Sequence, residues 1–514
     1  MPSVAFNSIL FDSPADRSRA RHADEPPFFV DLNLNQIVDA ITAEWAEYDL
    51  RPFFYLPLSR VEAVTYRREV MQDLENAALY QHVKSFAQDM RALRNHLTRA
   101  AKLYYKYQKE AWFLDAVEIY YNAVRRFAAE LCDVALQSRG FIGFREYLTS
   151  YAGSARFSSL VSETKKLKAD LATVEYCVLI KGSSFTVRKY ESEADYSVDV
   201  EETFEKFKQG AVRDYRVTFS TSEDMNHIEA KILEFVARLH PEVFQALDEY
   251  CTRHGNFMDI TVAAFDREVQ FYIAYLEYAA ILRRAGLQFC YPHVSDGTKE
   301  VYDYDGFDIA LAHKLINEKS SVVCNDFYLK GNERVLVVSG PNQGGKTTFA
   351  RAFGQLHYLA SIGCPVPGRE AQLFLFDQLF THFEKEEKVE NLRGKLEDDL
   401  ARIHAILGRA TPQSIIIMNE IFTSTTIQDE TFLSRKVMEK IVGLGLLGVW
   451  VTFVDELASF SPQTVSMVST VVPDNPALRT FKVVRRPADG LAYAMAIAQK
   501  HGLTYRAIGE RIRS

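Results

Sequence analysis

Residues 334–347 carry the pattern that most limits how this chain can fold. An apolar run ends at Ser339, and Gly340, Gly345, Lys346 and Thr347 then complete the pattern G-x-x-x-x-G-K-[ST]. Placed between a strand and a helix, this pattern predicts a loop whose backbone N–H groups bind phosphate, with the Thr347 hydroxyl available to magnesium. We therefore expect a nucleoside triphosphate site. Its predicted residues in the loop are Gly340, Pro341, Asn342, Gln343, Gly344, Gly345, Lys346, Thr347 and Thr348.

Composition narrows the class of protein without naming a function. The chain has 514 residues, 47% apolar and 25% charged, which is typical of a folded protein with two or more domains. Its formal charge of −8 neither supports nor excludes nucleic-acid binding, which would need a local basic surface. Six scattered cysteines favour buried thiols over a zinc site or a disulfide framework. With no signal-like N-terminus and no run near the ~20 apolar residues of a membrane span, we expect a soluble cytoplasmic protein.

Three segments of the chain differ in pattern. Residues 1–27 are rich in Ser, Arg, Asp and Pro, which predicts a flexible N-terminus. Residues 28–320 show mainly helical periodicity, with a β-hairpin predicted near 174–190. Residues 321–514 alternate short apolar strands with loops and helices, which predicts an α/β domain. Its predicted strands are 334–339, 414–418 and 448–452.

A second apolar strand ends in Asn419 and Glu420. Nucleotide-hydrolysing P-loop proteins place a magnesium-side carboxylate and a water-activating base at this point of the fold. Glu420 is therefore the predicted general base, although an acid after a buried strand can also simply begin a loop. Asn419 is predicted to bind nucleotide and, with Thr347, to hold Mg²⁺ through water. Because an amide carries no charge, magnesium affinity or turnover should be lower than with an aspartate.

Several motifs in order resemble the ATPase domain of the MutS mismatch-repair family. The resemblance runs from about Asn325 to the C-terminus, and looser similarity to the family's helical core occurs upstream. The segments that carry it in the ATPase region are Asn325-Asp326, the phosphate loop, 362–367, Phe380-Thr381, 419–429, 488–490, Tyr493 and 501–503. Upstream, 58–74 resembles the beginning of the helical core and 289–292 its end.

The resemblance implies an ABC-type ATPase that works as a homodimer, with ATP and Mg²⁺ between two nucleotide domains. In that family a Ser/Thr segment follows the strand that ends in the acidic residue, and this segment faces the γ-phosphate bound by the partner subunit. Ser424, Thr425 and Thr426 become candidates for this trans contact, with Asp429 in the adjoining loop. The same residues also suit the N-terminal cap of a helix, and both roles are compatible.

Two positions depart from the family pattern. Asn419 stands where the family ordinarily has Asp, and Phe453 stands where it has His. Phe453 cannot donate a hydrogen bond to a γ-phosphate, so ATP binding with slow hydrolysis is expected. If the strand before it continued, Asp455 would point to the same side as Phe453 and could partly substitute.

We expect this chain to bind DNA, if it does so, without recognising mismatched base pairs. The family's Phe-x-Glu wedge lies in an N-terminal domain, for which about 30 residues ahead of the core are too few, and Phe144-Arg-Glu146 is read as a coincidence. Basic residues in 91–109 recur at helical spacing with no acid among them, which predicts one basic stripe able to neutralise DNA phosphates. A solvated helix face paired with acidic neighbours is an equal alternative. The stripe comprises Arg91, Arg94, Arg99, Lys102, Lys106 and Lys109.

Two classes of function follow from these patterns. One is an ATP-switched dimer whose helical arms clamp duplex or structured DNA without mismatch specificity and without a membrane partner. The other is a nucleotide-switched module that binds a protein or ribonucleoprotein and no DNA. The DNA-binding class predicts salt-dependent affinity that changes with ATP, and the other class predicts none.

Overall fold

The chain forms two compact units, each assembled from separate stretches of sequence. The computed structural model describes residues 6–20, 23–182, 184–192, 225–384, 394–473, 475–488 and 508. The first unit comprises Met1–Glu75, Leu136–Ile142 and Arg267–Ser514, and the second comprises Asn76–Ala135 and Gly143–Asp266.

Helices and strands are numbered here in chain order. The helices are α1 (Pro14–Ala20), α2 (Leu34–Thr42), α3 (Arg51–Tyr55), α4 (Val61–Asp73), α5 (Ala77–Lys102), α6 (Lys106–Asp133), α7 (Arg139–Ala152), α8 (Ala155–Ala172), α9 (His227–Leu239), α10 (Pro241–Arg253), α11 (Ile260–Arg284), α12 (Ile309–Asn317), α13 (Lys346–Ser361), α14 (Lys395–Arg409) and α15 (Ile427–Leu444). The strands are β1 (Tyr176–Lys181), β2 (Ser184–Lys189), β3 (Phe289–Cys290), β4 (His293–Ser295), β5 (Val301–Gly306), β6 (Asn325–Leu329), β7 (Val335–Ser339), β8 (Val366–Pro367), β9 (Glu370–Phe374), β10 (Leu379–Phe383), β11 (Ile415–Asn419), β12 (Leu447–Val451), β13 (Thr464–Val472) and β14 (Asn475–Arg485).

The second unit is mainly helical, with α5 and α6 packed along each other. Asn76 caps α5 by accepting hydrogen bonds from the backbone N–H groups of residues 78 and 79, which satisfies two of the free donors at a helix N-terminus. Phe86 of α5 stacks on Phe127 of α6 with ring centroids 4.6 Å apart. Strands β1 and β2 pair antiparallel, so the predicted hairpin is confirmed.

One predicted feature of this unit is wrong. Helix α5 ends at Lys102 and α6 begins at Lys106, so the basic residues between 91 and 109 lie on two helices and form no single helical stripe. The helical periodicity continues across the break in the sequence. The backbone nevertheless extends at Leu103, the C-cap residue, where φ is −64° and ψ is 153°.

The first unit is built on a six-stranded sheet with the order β10-β11-β12-β7-β13-β14. The first five strands are parallel, and β14 runs antiparallel to β13 at the edge. All residues of β7, β11 and β12 are buried, as expected for parallel strands covered on both faces. The three predicted strands of this domain are therefore confirmed to within one residue at each end.

The predicted boundaries of the N-terminal segment and of the domains differ from the structure. Residues 6–20 are ordered in the first unit, where Ile9 and Phe11 are buried. Tyr272 donates a hydrogen bond of 2.8 Å to the Ile9 carbonyl, and Tyr66 donates one of 2.6 Å to the Ser8 carbonyl. A few apolar residues inside a polar stretch were enough to anchor it. Residues 28–75 and 267–320, predicted to belong to the helical domain, join the unit that holds the sheet.

A four-stranded sheet with the order β4-β9-β5-β6 completes the first unit, together with the short β3-β8 pair. Over the described parts of the chain, no helix is both long enough and apolar enough to cross a membrane.

Candidate functional site

The glycine-rich loop connects the end of β7 to the first turn of α13. Gly340 and Gly345 have φ values of 114° and 91°, in the left-handed region that glycine adopts without strain. Gly344 is needed for space, because a Cβ there would lie 2.2 Å from the Ser469 Oγ atom. That hydroxyl donates a hydrogen bond of 2.6 Å to the Gly344 carbonyl. The loop is thus fixed against β13, with the free N–H groups of the α13 N-terminus beside it.

Lys346 is buried within this loop. Its ammonium donates to the carbonyls of Gly340 and Pro341 at 3.2 and 3.3 Å and to Asn342 Oδ1 at 3.4 Å. The Glu420 Oε1 atom lies 3.5 Å from Nζ, and the lysine side chain is only 3% exposed. Burial lowers the pKa of the ammonium, while the Glu420 carboxylate acts in the opposite direction. The result is a localised positive charge with one carboxylate beside it.

The other side of the site lies at the carboxyl end of β11. Thr347 Oγ1 donates a hydrogen bond of 2.8 Å to Asn419 Oδ1, so the two predicted magnesium-side residues are in contact. Glu420 follows with φ of 51°, and its N–H donates to the Val451 carbonyl at 2.9 Å. This unusual backbone conformation directs the strand end toward the loop lysine.

The donor set fits a nucleoside phosphate with its magnesium ion. A buried ammonium and the N-terminus of a helix of 16 residues are suited to phosphate oxygens. The Thr347 hydroxyl and the Asn419 amide oxygen are neutral oxygens, which Mg²⁺ accepts through its bound waters. Glu420 is the adjacent carboxylate, and its side chain is 24% exposed.

The segment after β12 contradicts one prediction. Strand β12 ends at Val451, and Asp455 begins a 3₁₀ helix that runs to Ser459. The strand therefore does not continue through Phe453, and the alternating geometry that would place Asp455 beside it does not exist. The Phe453 ring centroid lies 4.4 Å from the Lys346 ammonium, within the range of a cation–π contact.

Residues of the β13-β14 pair also contact the loop, and sequence reasoning missed them. Besides Ser469, the Arg479 Nε atom donates to the Asn342 carbonyl at 3.1 Å. On the same strand, the Phe481 carbonyl accepts a hydrogen bond of 3.2 Å from Asn325 Nδ2 of β6, outside the loop. These residues lie more than a hundred positions from their partners or carry no motif, so only the sheet order could have identified them.

The predicted trans segment lies at the N-terminus of α15. Thr426 is its N-cap, with Oγ1 accepting from the Asp429 N–H at 3.2 Å and donating to Asp429 Oδ2 at 2.9 Å. Thr425 also donates to Asp429 Oδ2, at 3.3 Å. Thr426 thus caps the N-terminus of α15, as predicted for this segment. Ser424, Thr426 and Asp429 are exposed.

The predicted DNA-contact residues lie in the second unit, in differing environments. Arg94 forms an ion pair with the buried Asp266, and Lys106 forms one with Asp248. Arg99 lies over the Trp112 ring, with its guanidinium carbon 5.5 Å from the centroid. The remaining members of the set are Arg91, which is exposed and has partners of its own, exposed Lys102 and half-buried Lys109.

Phe144, from the Phe-x-Glu match, is fully buried and stacks on Phe265 with centroids 3.6 Å apart. It therefore packs in the core and is not an exposed wedge. Of the segments that resemble the family's closing region, residues 489–507 lie outside the described residues.

The strand, loop and helix around Lys346, with Glu420 at the end of β11 two strands away in the same parallel sheet, define an α/β domain with the P-loop pattern. Residues 336–510 match the family model of MutS domain V. This match and the relatives below support a MutS-family protein, as the sequence motifs indicated.

Among the relatives, the DNA mismatch repair protein MutS of Thermotoga maritima is 26% identical over 294 residues, 55% of this chain and 35% of the relative. The Endonuclease MutS2 of Thermomicrobium roseum is 29% identical over 38% of this chain and 25% of the relative. The DNA mismatch repair protein MutS 2 of Halobacterium salinarum is 29% identical over 39% of this chain and 23% of the relative. The matches thus cover about a third or less of the length of these relatives.

Proposed function

We propose that this chain is an ATP-binding and DNA-binding homodimer of the MutS kind, in which ATP and Mg²⁺ at the P-loop switch helical arms that hold duplex or structured DNA. The observation that carries the proposal is the convergence of Lys346, Thr347, Asn419 and Glu420 around one loop. The names of the relatives, which include DNA mismatch repair proteins, support the DNA-binding part. Cytoplasmic localisation remains part of the proposal.

Each residue of the site has a role in this proposal. The loop from Gly340 to Thr348 would hold the phosphates, and Thr347 with Asn419 would hold the hydrated magnesium ion. When bound, ATP would supply the phosphoryl group, and Mg²⁺ would offset the negative charge of the phosphates. Glu420 would accept a proton from water. The Glu420 Oε1 atom lies 3.5 Å from the Lys346 ammonium, which keeps the carboxylate beside the phosphate loop.

Asn419→Asp is expected to lower the Mg²⁺ concentration needed for half-maximal turnover about tenfold and to increase the rate of ATP turnover. A carboxylate in the position of the Asn419 amide oxygen, 2.8 Å from Thr347 Oγ1, would bind the hydrated ion through charge-assisted hydrogen bonds. The measurement is phosphate release over a magnesium titration. Asn419→Ser is the matched control, because it keeps a neutral oxygen.

Glu420→Gln should retain nucleotide binding and lose turnover in the same assay. Rapid wild-type hydrolysis that is unchanged by Asn419→Asp would show that the amide is fully competent and that the proposed slow switch is mistaken. Turnover that survives Glu420→Gln would remove Glu420 from the role of base.

The exposed residues around the α15 N-terminus support the dimer. Ile427 and Phe432 have exposures of 80% and 61%, and they lie within a few residues of Thr426 and Asp429 on the same helix N-terminus. Apolar side chains exposed beside a polar capping segment are typical of an interface with another protein chain. A trans contact by Ser424, Thr425, Thr426 and Asp429 stays part of the proposal.

Reversing the charge of Lys102 and Lys109 together is expected to lower the slope of log affinity against log salt by about two, because each phosphate contact contributes ~0.9. Within the described residues, neither lysine forms an ion pair. The measurement is fluorescence anisotropy of labelled duplex DNA at several salt concentrations. Lys165 and Lys166, exposed on α8, provide the matched charge reversal that should leave the slope unchanged.

A nucleotide-switched protein or ribonucleoprotein module is the second candidate. It is favoured by the ion pairs of Arg94 and Lys106, which neutralise part of the predicted basic surface. Binding to duplex, branched and mismatched DNA, each with and without ATP, separates the two candidates. Absence of binding to every DNA at low salt would reject the DNA-clamping dimer, and preference for the mismatch would reject mismatch-independent binding.

A further inference from the structure

The Lys346 ammonium is enclosed by oxygen atoms and by one aromatic ring. The oxygens belong to Gly340, Pro341, Asn342 and Glu420, at distances between 3.2 and 3.5 Å. The Phe453 ring centroid lies 4.4 Å from the ammonium nitrogen. A cation over a ring face is attracted by the ring quadrupole, so this contact favours the position that covers the lysine.

Phe453 is the movable part of this enclosure. Its neighbours Thr452 and Val454 are buried, and the Thr452 N–H donates to the Val338 carbonyl at 3.1 Å. The Val454 N–H donates to Thr452 Oγ1 at 3.0 Å, which fixes the bend of the backbone. The Phe453 side chain, in contrast, is 48% exposed. Rotation about χ1 can therefore uncover the ammonium without moving the backbone.

This arrangement affects the outermost phosphate most strongly. In a P-loop the backbone N–H groups hold the inner phosphates, and the lysine reaches the β- and γ-phosphates. A diphosphate therefore needs the covered ammonium for one phosphate and a triphosphate needs it for two, and a γ-phosphoryl oxygen would have to displace the Phe453 ring to reach Lys346 fully. The loop N–H groups that serve the inner phosphates are not covered by that ring contact.

We infer that Phe453 is a specificity-determining residue of the nucleotide site, which disfavours a nucleoside triphosphate relative to a nucleoside diphosphate by covering Lys346. The inference rests on the proposed nucleotide function. Phe453 then sets how readily the γ-phosphate engages the site, in addition to lacking the hydrogen bond that a histidine would make. The chain would retain the diphosphate until the ring moves.

The test compares the dissociation constants of Mg²⁺-ADP and of a non-hydrolysable Mg²⁺-ATP analogue by calorimetry. Phe453→Ala is expected to tighten the triphosphate analogue about 3- to 30-fold, the range of one cation–π contact, and ADP about twofold at most. Phe453→Leu keeps much of the bulk without the ring quadrupole and should fall between wild type and Phe453→Ala. Leu400→Ala, a partly exposed position on α14, is the control and should behave as wild type.

A second measurement needs no nucleotide. In Phe453→Ala, modification of Lys346 by an amine-reactive reagent, followed by mass spectrometry, should be several-fold faster than in wild type, while Lys314 reacts equally in both. Nucleotide binding that depends on Lys346, with an unchanged ratio of triphosphate to diphosphate affinity in Phe453→Ala and Phe453→Leu, would overturn the inference and leave the proposed function standing. Failure of wild type and every folded variant to bind either nucleotide would overturn both.

Discussion

Lys346→Ala is expected to weaken ATP binding about a hundredfold to a thousandfold. The lysine side chain is 3% exposed, so its charge acts in a poorly solvated site where contacts with phosphate oxygens are strong. Loss of charge-assisted hydrogen bonds to two phosphates costs about 3–4 kcal/mol, which corresponds to that change in affinity. The measurement is calorimetric titration with ATP and Mg²⁺.

The matched control for this substitution is Lys314→Ala. Lys314 lies on α12 with a side chain 70% exposed and only a 4.0 Å contact with Glu318, so its loss should leave ATP affinity unchanged. Thermal unfolding of each variant verifies that the fold is retained. Equal ATP affinity in Lys346→Ala and wild type would contradict the assignment of the loop as the nucleotide site.

Asp303→Asn is expected to stabilise the protein by about 2–4 kcal/mol at pH 8 and to have little effect at pH 4. Asp303 lies on β5 and is fully buried, and within the part of the chain that the structure describes neither carboxylate oxygen has a hydrogen-bond partner. Two glycines make the space for it, because a Cβ at Gly306 or Gly368 would lie 1.8 or 2.3 Å from a carboxylate oxygen. Burial, with smaller contributions from Asp326 and Asp305, raises the pKa of Asp303 to about 9.

The direction of this pH dependence follows from the raised pKa. Between the ordinary value of 3.8 and about 9, the unfolded chain releases a proton from residue 303 that the folded protein retains. The stabilising contribution of the neutral carboxyl is therefore complete below about pH 4 and is lost as pH rises toward 9. An asparagine is neutral at every pH, so the variant should not lose this part of its stability as pH rises.

Urea titrations at several pH values between 4 and 8.5 measure the effect as a free energy of unfolding. Asp305→Asn is the control, because Asp305 is half-exposed and pairs with Arg369 at 3.1 Å. That variant should retain the wild-type pH dependence. If the free energy of unfolding varied with pH in the same way in wild type and Asp303→Asn, Asp303 would be ionised in the folded wild-type protein.

The local fold of the α/β domain was predictable because its signals lie close together in sequence. The apolar runs that became β7, β11 and β12 are continuous, and parallel strands covered on both faces require such runs. The hairpin of β1 and β2 was likewise predictable from two β-rich runs around a short turn. The break between α5 and α6 was not, since helical spacing continued through it.

The candidate site was predictable only where a motif defined it. Lys346 and Thr347 follow the glycine-rich loop, and Glu420 follows a buried strand. Their meeting follows from the rule that parallel strands of one sheet end at the same edge, although β12 lies between β7 and β11. Ser469 and Arg479 carry no such motif. Their contact with the loop depends on β13 lying beside β7.

The sequence by itself determined a P-loop pattern between a strand and a helix, the central strands, the candidate residues of the phosphate site and the resemblance to the MutS family, because each depends on local spacing. Only the tertiary structure decided that Phe453 covers Lys346, that Asp303 is buried without a partner and that the first residues join the sheet-containing unit. These facts depend on contacts between distant segments and on exclusion of water. Spacing along the chain does not encode either of them.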